Sequence, residues 1–236
     1  MNDTAHGFPV QATGMTGTTP QARTATRIRL GAVSLAIAGV LFVLYPAIRP
    51  FSDETSLQGA QAFASASWTA AHMLAMVAFT LLVLGLLGLY LALHESSAER
   101  AALWALAMSM LGVGFTLPYY GGEAYGLHGI GQEAVREHNV ALVSLAGVVR
   151  SGPGAVMFGV GLLLLAAGAI VAAAAIWRSG VLAKWSGVPF ALGFALYIPQ
   201  FFATQPLRVA HGILVAIGCL WIAASMWRRS AKLARK

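Results

Sequence analysis

Residues Trp68–Leu93 read WTAAHMLAMVAFTLLVLGLLGLYLAL, a run without one Asp, Glu, Lys or Arg. A helix rises 1.5 Å per residue and needs about 20 apolar residues to cross a hydrocarbon core roughly 30 Å thick, so this run crosses with length to spare for tilt. It is apolar all round. A membrane-barrel strand would instead alternate polar and apolar over about 10 residues. Five further uncharged runs flank it: Leu30–Ile48, Ala101–Tyr120, Gly152–Trp177, Trp185–Phe202 and Val209–Trp227. The pattern predicts an all-α, polytopic membrane protein with a six-helix bundle over residues 30–227.

Composition agrees. Of 236 residues, 58% are hydrophobic and only 10% charged, too few polar groups to clothe a water-soluble globule of this size. Disorder of the whole chain is excluded by the same figures. Cys219 is the only cysteine, so neither a disulfide scaffold nor a paired-thiol redox centre is available within the chain. The formal charge of +7 sits beside the apolar runs rather than in one basic patch, and no nucleic-acid partner is expected. The expected partner is the lipid bilayer.

Orientation follows from the positive charges. With the N-terminus inside, Arg23, Arg27, Arg29, Arg100, Arg178, Lys184 and the five basic residues of 228–236 are cytoplasmic, while only Arg49, Arg136, Arg150 and Arg208 lie outside. Both termini are therefore expected in the cytoplasm, and the Arg-rich composition suggests a bacterial inner membrane. Trp104, Trp177, Trp185 and Trp227 would mark the inner interface, and Trp68, Tyr119, Tyr120 and Tyr125 the outer one. Residues 1–29, rich in Thr, Gly and Ala, read as a disordered cytoplasmic tail. They lack the layout of a cleavable signal peptide, although an acid-poor, Arg-containing start also suits a mitochondrial presequence. Residues 228–236 read as a basic cytoplasmic tail. The outer loops, 49–67 and 121–151, are long, and within the second Asn139–Arg150 (NVALVSLAGVVR) suggests a short helix lying in the outer interface or covering the bundle.

Ionisable groups at membrane depth are expensive and mark candidate sites. His72 and His211 each lie about one turn inside the outer end of a span. Leu117–Gln132 (LPYYGGEAYGLHGIGQ) adds Glu123 and His128 among five glycines and three tyrosines, behind a Pro118 expected to kink or end its helix. On a straight helix Glu123 and His128 would diverge; they share a site only if the glycines break the helix. If they converge, Glu123 and His128 could act as acid and base, and with His72 and His211 could ligate zinc. His72 and His211 alone could be axial ligands of haem b. The plainer alternative is that each imidazole bonds a nearby carbonyl or water. Arg208, Tyr119, Tyr120 and Gln200 complete a candidate ligand-binding set, with Arg208 able to pair with Glu123 or with an anionic head group. Arg49, Asp53 and Glu54 lie on the same outer face. His6, His94 and His138 read as exposed.

Four functions remain open on these residues. One is an outward-facing polar pocket that binds or moves a small or lipid-like molecule. The others are a membrane enzyme acting on a lipid or isoprenoid, a haem b protein, and an assembly subunit.

Overall fold

A computed structural model describes residues 20–235. Among these the fold is entirely helical, with no strand. The helices are α1 (Pro20–Ile48), α2 (Leu57–Ala64), α3 (Ala66–Leu93), α4 (Glu99–Gly121), α5 (Leu127–Arg136), α6 (Leu145–Val149), α7 (Gly152–Ser179), α8 (Gly187–Ala195) and α9 (Gln205–Leu233). Five helices are long and apolar enough to cross a membrane: α1, α3, the continuous helical stretch Glu99–Arg136, α7 and α9.

Small residues let these helices approach closely, since lipid offers apolar side chains no reason to prefer protein. Helix α1 lies between α3 and α9. A Cβ on Gly31 would stand 2.5 Å from the Gly88 Cα, and one on Gly85 2.8 Å from the Leu35 Cβ, so the α1–α3 seam admits nothing larger. Gly39 meets Ala216 and Cys219 of the antiparallel α9 in the same way. The α4–α7 pair is built likewise, with Gly112 against Gly161 and Gly168 against Ser109.

Four expectations are corrected. Residues 20–29, expected in a disordered tail, form the first turns of α1, and Ala25 and Ile28 are buried; residues 1–19 of that tail lie outside the described residues. The basic segment after Trp227 is largely helical too, because α9 runs to Leu233. Pro118 does not end its helix. Space around Gly114, four residues back, is open, and the chain passes through a wide π-turn at Gly122–Gly126 directly into α5. The run Trp185–Phe202, where Pro189 and Pro199 lead one to expect a bent helix, is not one helix. Pro199 has no N–H with which to continue the ladder, so α8 stops at Ala195 and a 3₁₀ turn, Pro199–Phe202, follows. This broken segment still runs antiparallel to both neighbours. Against α7 it pairs Trp185 with Trp177, Gly187 with Ala173 and Phe201 with Phe158. Against α9 it pairs Phe190 with Gly218, Gly193 with Val215 and Tyr197 with His211.

At the end of the bundle opposite Pro20 and Leu233, α2, α5 and α6 form a cap. Its own small core is Ala60, Phe63, Trp68, Leu127, Ala134, Val143 and Ala146. Ser56 and Ser65 accept from the main-chain N–H groups of Gly59 and Trp68 and so start α2 and α3. The Asn139–Arg150 stretch forms a 3₁₀ turn and then α6, the short helical element its apolar residues suggest. Gly131 allows α5 to lie directly on α2: a Cβ there would stand 2.6 Å from the Phe63 Cβ.

Candidate functional site

Between the cap and the bundle lies a pocket of about 510 Å³. Three arginines and two glutamates line it, together with His72 and a wall of aromatic rings.

Arg150, in the link between α6 and α7, is the hub of the charges. Its Nε and Nη2 donate to the two oxygens of Glu123 at 2.6 and 2.9 Å, and its Nη1 donates to Glu54 at 2.5 Å. Arg49 donates to the other oxygen of Glu54 at 2.7 Å and stacks on Trp68, whose ring centroid lies 4.4 Å from its Cζ. A two-pronged guanidinium–carboxylate pair fixes geometry as well as charge. Four segments are thereby tied together: the loop after α1, the start of α3, the π-turn and the α6–α7 link. Burial pushes the Glu54 carboxyl up, but Arg49 and Arg150 outweigh it and hold it below the ordinary carboxylate value. Burial likewise pulls Arg150 down, and the bonds and charge of Glu123 and Glu54 raise it above the usual guanidinium range.

The π-turn places Glu123. It adds a residue to one turn and brings both the main chain and side chain of Glu123 against α3, where the Trp68 indole N–H donates to the Glu123 carbonyl at 2.7 Å. Only 7% of Glu123 is exposed. His72, one turn along α3, donates from Nδ1 to the Trp68 carbonyl at 2.7 Å, and its Nε2 faces Glu123 Oε2 at 3.7 Å, too far for a direct hydrogen bond.

On the bundle side, Tyr45, Tyr120 and Tyr197 form a buried cluster. The Tyr120 and Tyr197 hydroxyls are 3.2 Å apart, and Tyr45 packs edge-on against both Tyr120 and His72. Tyr119 stacks flat on Phe158, with ring centroids 4.0 Å apart. Arg208, in the first turn of α9, donates from Nε and Nη2 to the main-chain carbonyls of Ala203 and Phe201.

Of the residues singled out from sequence, the pocket gathers His72, Glu123, Tyr119, Tyr120 and Arg208. Gln200 and His211 line a small adjoining cavity of about 10 Å³, and His211 Nε2 bonds the Gly193 carbonyl at 2.7 Å. His128 is elsewhere. Because the helix continues, His128 lies outside this pocket, beside the α2–α3 junction, where its Nδ1 bonds the Phe63 carbonyl at 2.9 Å. Glu123 and His128 therefore do not form an acid–base pair, and Arg208 is not the partner of Glu123. Among the described residues no three of His, Cys, Asp or Glu come together to ligate a metal, so the proposed zinc set of His72, His128, His211 and Glu123 does not assemble. Nor does haem b fit between His72 and His211. The rings of Tyr45, Tyr120 and Tyr197 occupy that space, and the Nε2 of His211 is taken up by the Gly193 carbonyl.

Arg150 is the residue sequence reading missed. It stands among loop residues with no nearby acidic neighbour in the chain, and only folding brings Glu54 and Glu123 to it. Trp68 and Tyr120, expected at the outer interface by their position at the ends of runs, are buried within the protein at 0% and 2% exposure.

The chain matches no known family model, no curated protein and no solved structure.

Proposed function

We propose that this is a multi-pass membrane protein of the bacterial inner membrane whose capped end faces outward and holds a small or lipid-like molecule in the Arg49–Arg208 pocket. The carrying observation is the pocket itself: about 510 Å³ lined by charged groups and aromatic rings at one end of an apolar bundle. Pockets of that size with few, convergent polar groups are the usual form of small-molecule sites. In this reading the α8 segment is a sixth, broken crossing. Its support is the antiparallel register with α7 and α9 from Trp185 to Phe201, and a broken helix is tolerated in lipid where it lines a cavity. Both termini are then cytoplasmic, in keeping with the excess of Lys and Arg on that side.

Binding is favoured over catalysis at Glu123 because both its oxygens are already engaged by Arg150. The enzyme reading rests on one feature, the approach of His72 Nε2 to Glu123.

The test is to purify the full chain in mild detergent beside Ser52→Trp, which places a large ring in the pocket, and to identify what each carries by mass spectrometry of organic extracts. A molecule near one per chain in the wild type and depleted in the variant is the expected result. Identical lipid profiles in two equally folded proteins would refute it.

A further inference from the structure

Among the described residues no carboxylate pairs with Arg208: Glu54 is taken by Arg49 and Arg150, and Glu123 by Arg150. The Arg208 hydrogen bonds go to two main-chain carbonyls, and a guanidinium has five N–H donors, so three remain. With three arginines against two glutamates around the pocket, one positive charge is uncompensated. At the edge of an apolar bundle such a charge is costly until an anion meets it. A second guanidinium stands close by: the Cζ atoms of Arg49 and Arg208 lie 4.8 and 5.1 Å from the same Phe51 ring centroid. Ser52 also lines the pocket, and its hydroxyl is buried without a hydrogen-bond partner. The unused groups are thus N–H and O–H donors, the set that phosphate oxygens require. A carboxylate has two oxygens to offer them; a phosphate has three at its periphery.

Beside this cluster an open apolar groove of about 360 Å³ runs between the α8 segment and α9, lined by Leu196, Pro199, Ala203, Leu207, Ala210 and Leu214. Gln200 and His211 line both the groove and the small cavity, and that cavity shares Tyr45 and Arg208 with the main pocket. Gln200 and His211 thus stand between the groove and the small cavity that Arg208 lines. From Leu207 to Leu214 the groove descends about 10 Å along α9 toward the middle of the bundle, the direction an alkyl chain takes from a head group at that end.

We propose that the pocket takes an amphiphile with a phosphate head, held by Arg208, Arg49 and the Ser52 hydroxyl, with its alkyl chain in the groove between α8 and α9. This rests on the reading of the pocket as a ligand site and adds the charge of the ligand and its path of entry.

The experiment is calorimetric titration of the full chain in a neutral maltoside detergent with dodecyl phosphate, dodecanol, dodecanoate and inorganic phosphate. Saturable binding of dodecyl phosphate is expected, at least about tenfold tighter than the other three, with at least about tenfold loss in Arg208→Gln and in Ala210→Trp, which fills the groove. Should Arg208→Gln fail to fold, Ala210→Trp, on an exposed position, and Arg208→Lys, which keeps the charge, carry the same comparison. Equal binding of inorganic phosphate would mean a free-anion site, and equal binding of dodecanol an uncharged one. Equal binding of dodecanoate would remove the preference for phosphate. Each overturns the proposal, as does unchanged affinity in Ala210→Trp. A neutral or cationic molecule carried by the wild type and lost in Ser52→Trp would leave the pocket reading standing and remove this one alone.

Discussion

Arg150 and Glu123, one in the link before α7 and the other in the π-turn after α4, are joined by two parallel hydrogen bonds of 2.6 and 2.9 Å. Removing Arg150 leaves Glu123, only 7% exposed, without its counter-charge, whereas removing Glu123 still leaves Arg150 paired with Glu54. Arg150→Met should therefore destabilise the protein by about 2–4 kcal/mol, while Arg150→Met with Glu123→Leu should cost less than the two single changes added together. Equilibrium unfolding in detergent measures both. Strict additivity would mean that the pair is not energetically coupled.

Glu54 gives the clasp a pH limit. Its folded pKa is depressed below the ordinary 4.5, so the stability it contributes is fully present above that value and is lost as the pH falls through the lower, folded one. Thermal melts should be flat in this respect from pH 7 to about 5 and fall below that. Glu54→Gln should show a lower melting temperature near neutrality and a shallower decline in acid. A variant that follows the wild-type acid profile would contradict the assignment.

The α1–α3 seam should be intolerant of side chains. Gly88→Val would drive its Cβ against Gly31 and separate two packed helices, at a cost of at least about 2 kcal/mol, whereas Gly129→Ala, at an exposed position of α5 with open space around it, should leave stability unchanged or raise it by up to about 1 kcal/mol. Unfolding of the two variants side by side tests the contrast.

The bundle was legible in the sequence because a run such as Trp68–Leu93 states both its period and its length. Where the chemistry lies was legible only in part. His72 and Glu123 stood out because polar groups are rare in apolar runs, and the structure does bring them to one pocket. His128 stood out for the same reason but lies outside it, since the direction of a side chain depends on whether Gly121, Gly122 and Gly126 break a helix or merely widen one turn, and both outcomes are compatible with those residues. Arg150 was hidden for the opposite reason. A charged residue in a loop carries no local signal, and its partners are 27 and 96 positions away. The broken α8 had its warning in Pro189 and Pro199, yet an uncharged run through prolines reads the same whether or not the helix is continuous.

His128 and His72 should behave differently in consequence. His128→Ala is expected to leave the co-purifying molecule unchanged, because its imidazole bonds Phe63 outside the pocket. His72→Ala, beside Glu123 and Tyr45, should reduce it several-fold. Mass spectrometry of extracts from equal amounts of folded protein separates the two.

The orientation has its own check. With native Cys219 buried and replaced by Ala, a membrane-impermeant maleimide added to intact cells should label Gly147→Cys in the cap and not Ser97→Cys between α3 and α4. The reverse pattern would turn the bundle over.

The most direct test of a pocket built to hold a molecule is a density map of the full chain in nanodiscs formed from the host membrane's own lipids. Non-protein density touching Arg49 and Arg208 beneath the cap is the expected result. A pocket closed by its own side chains, with Arg208 turned onto Glu54 or Glu123, would contradict it.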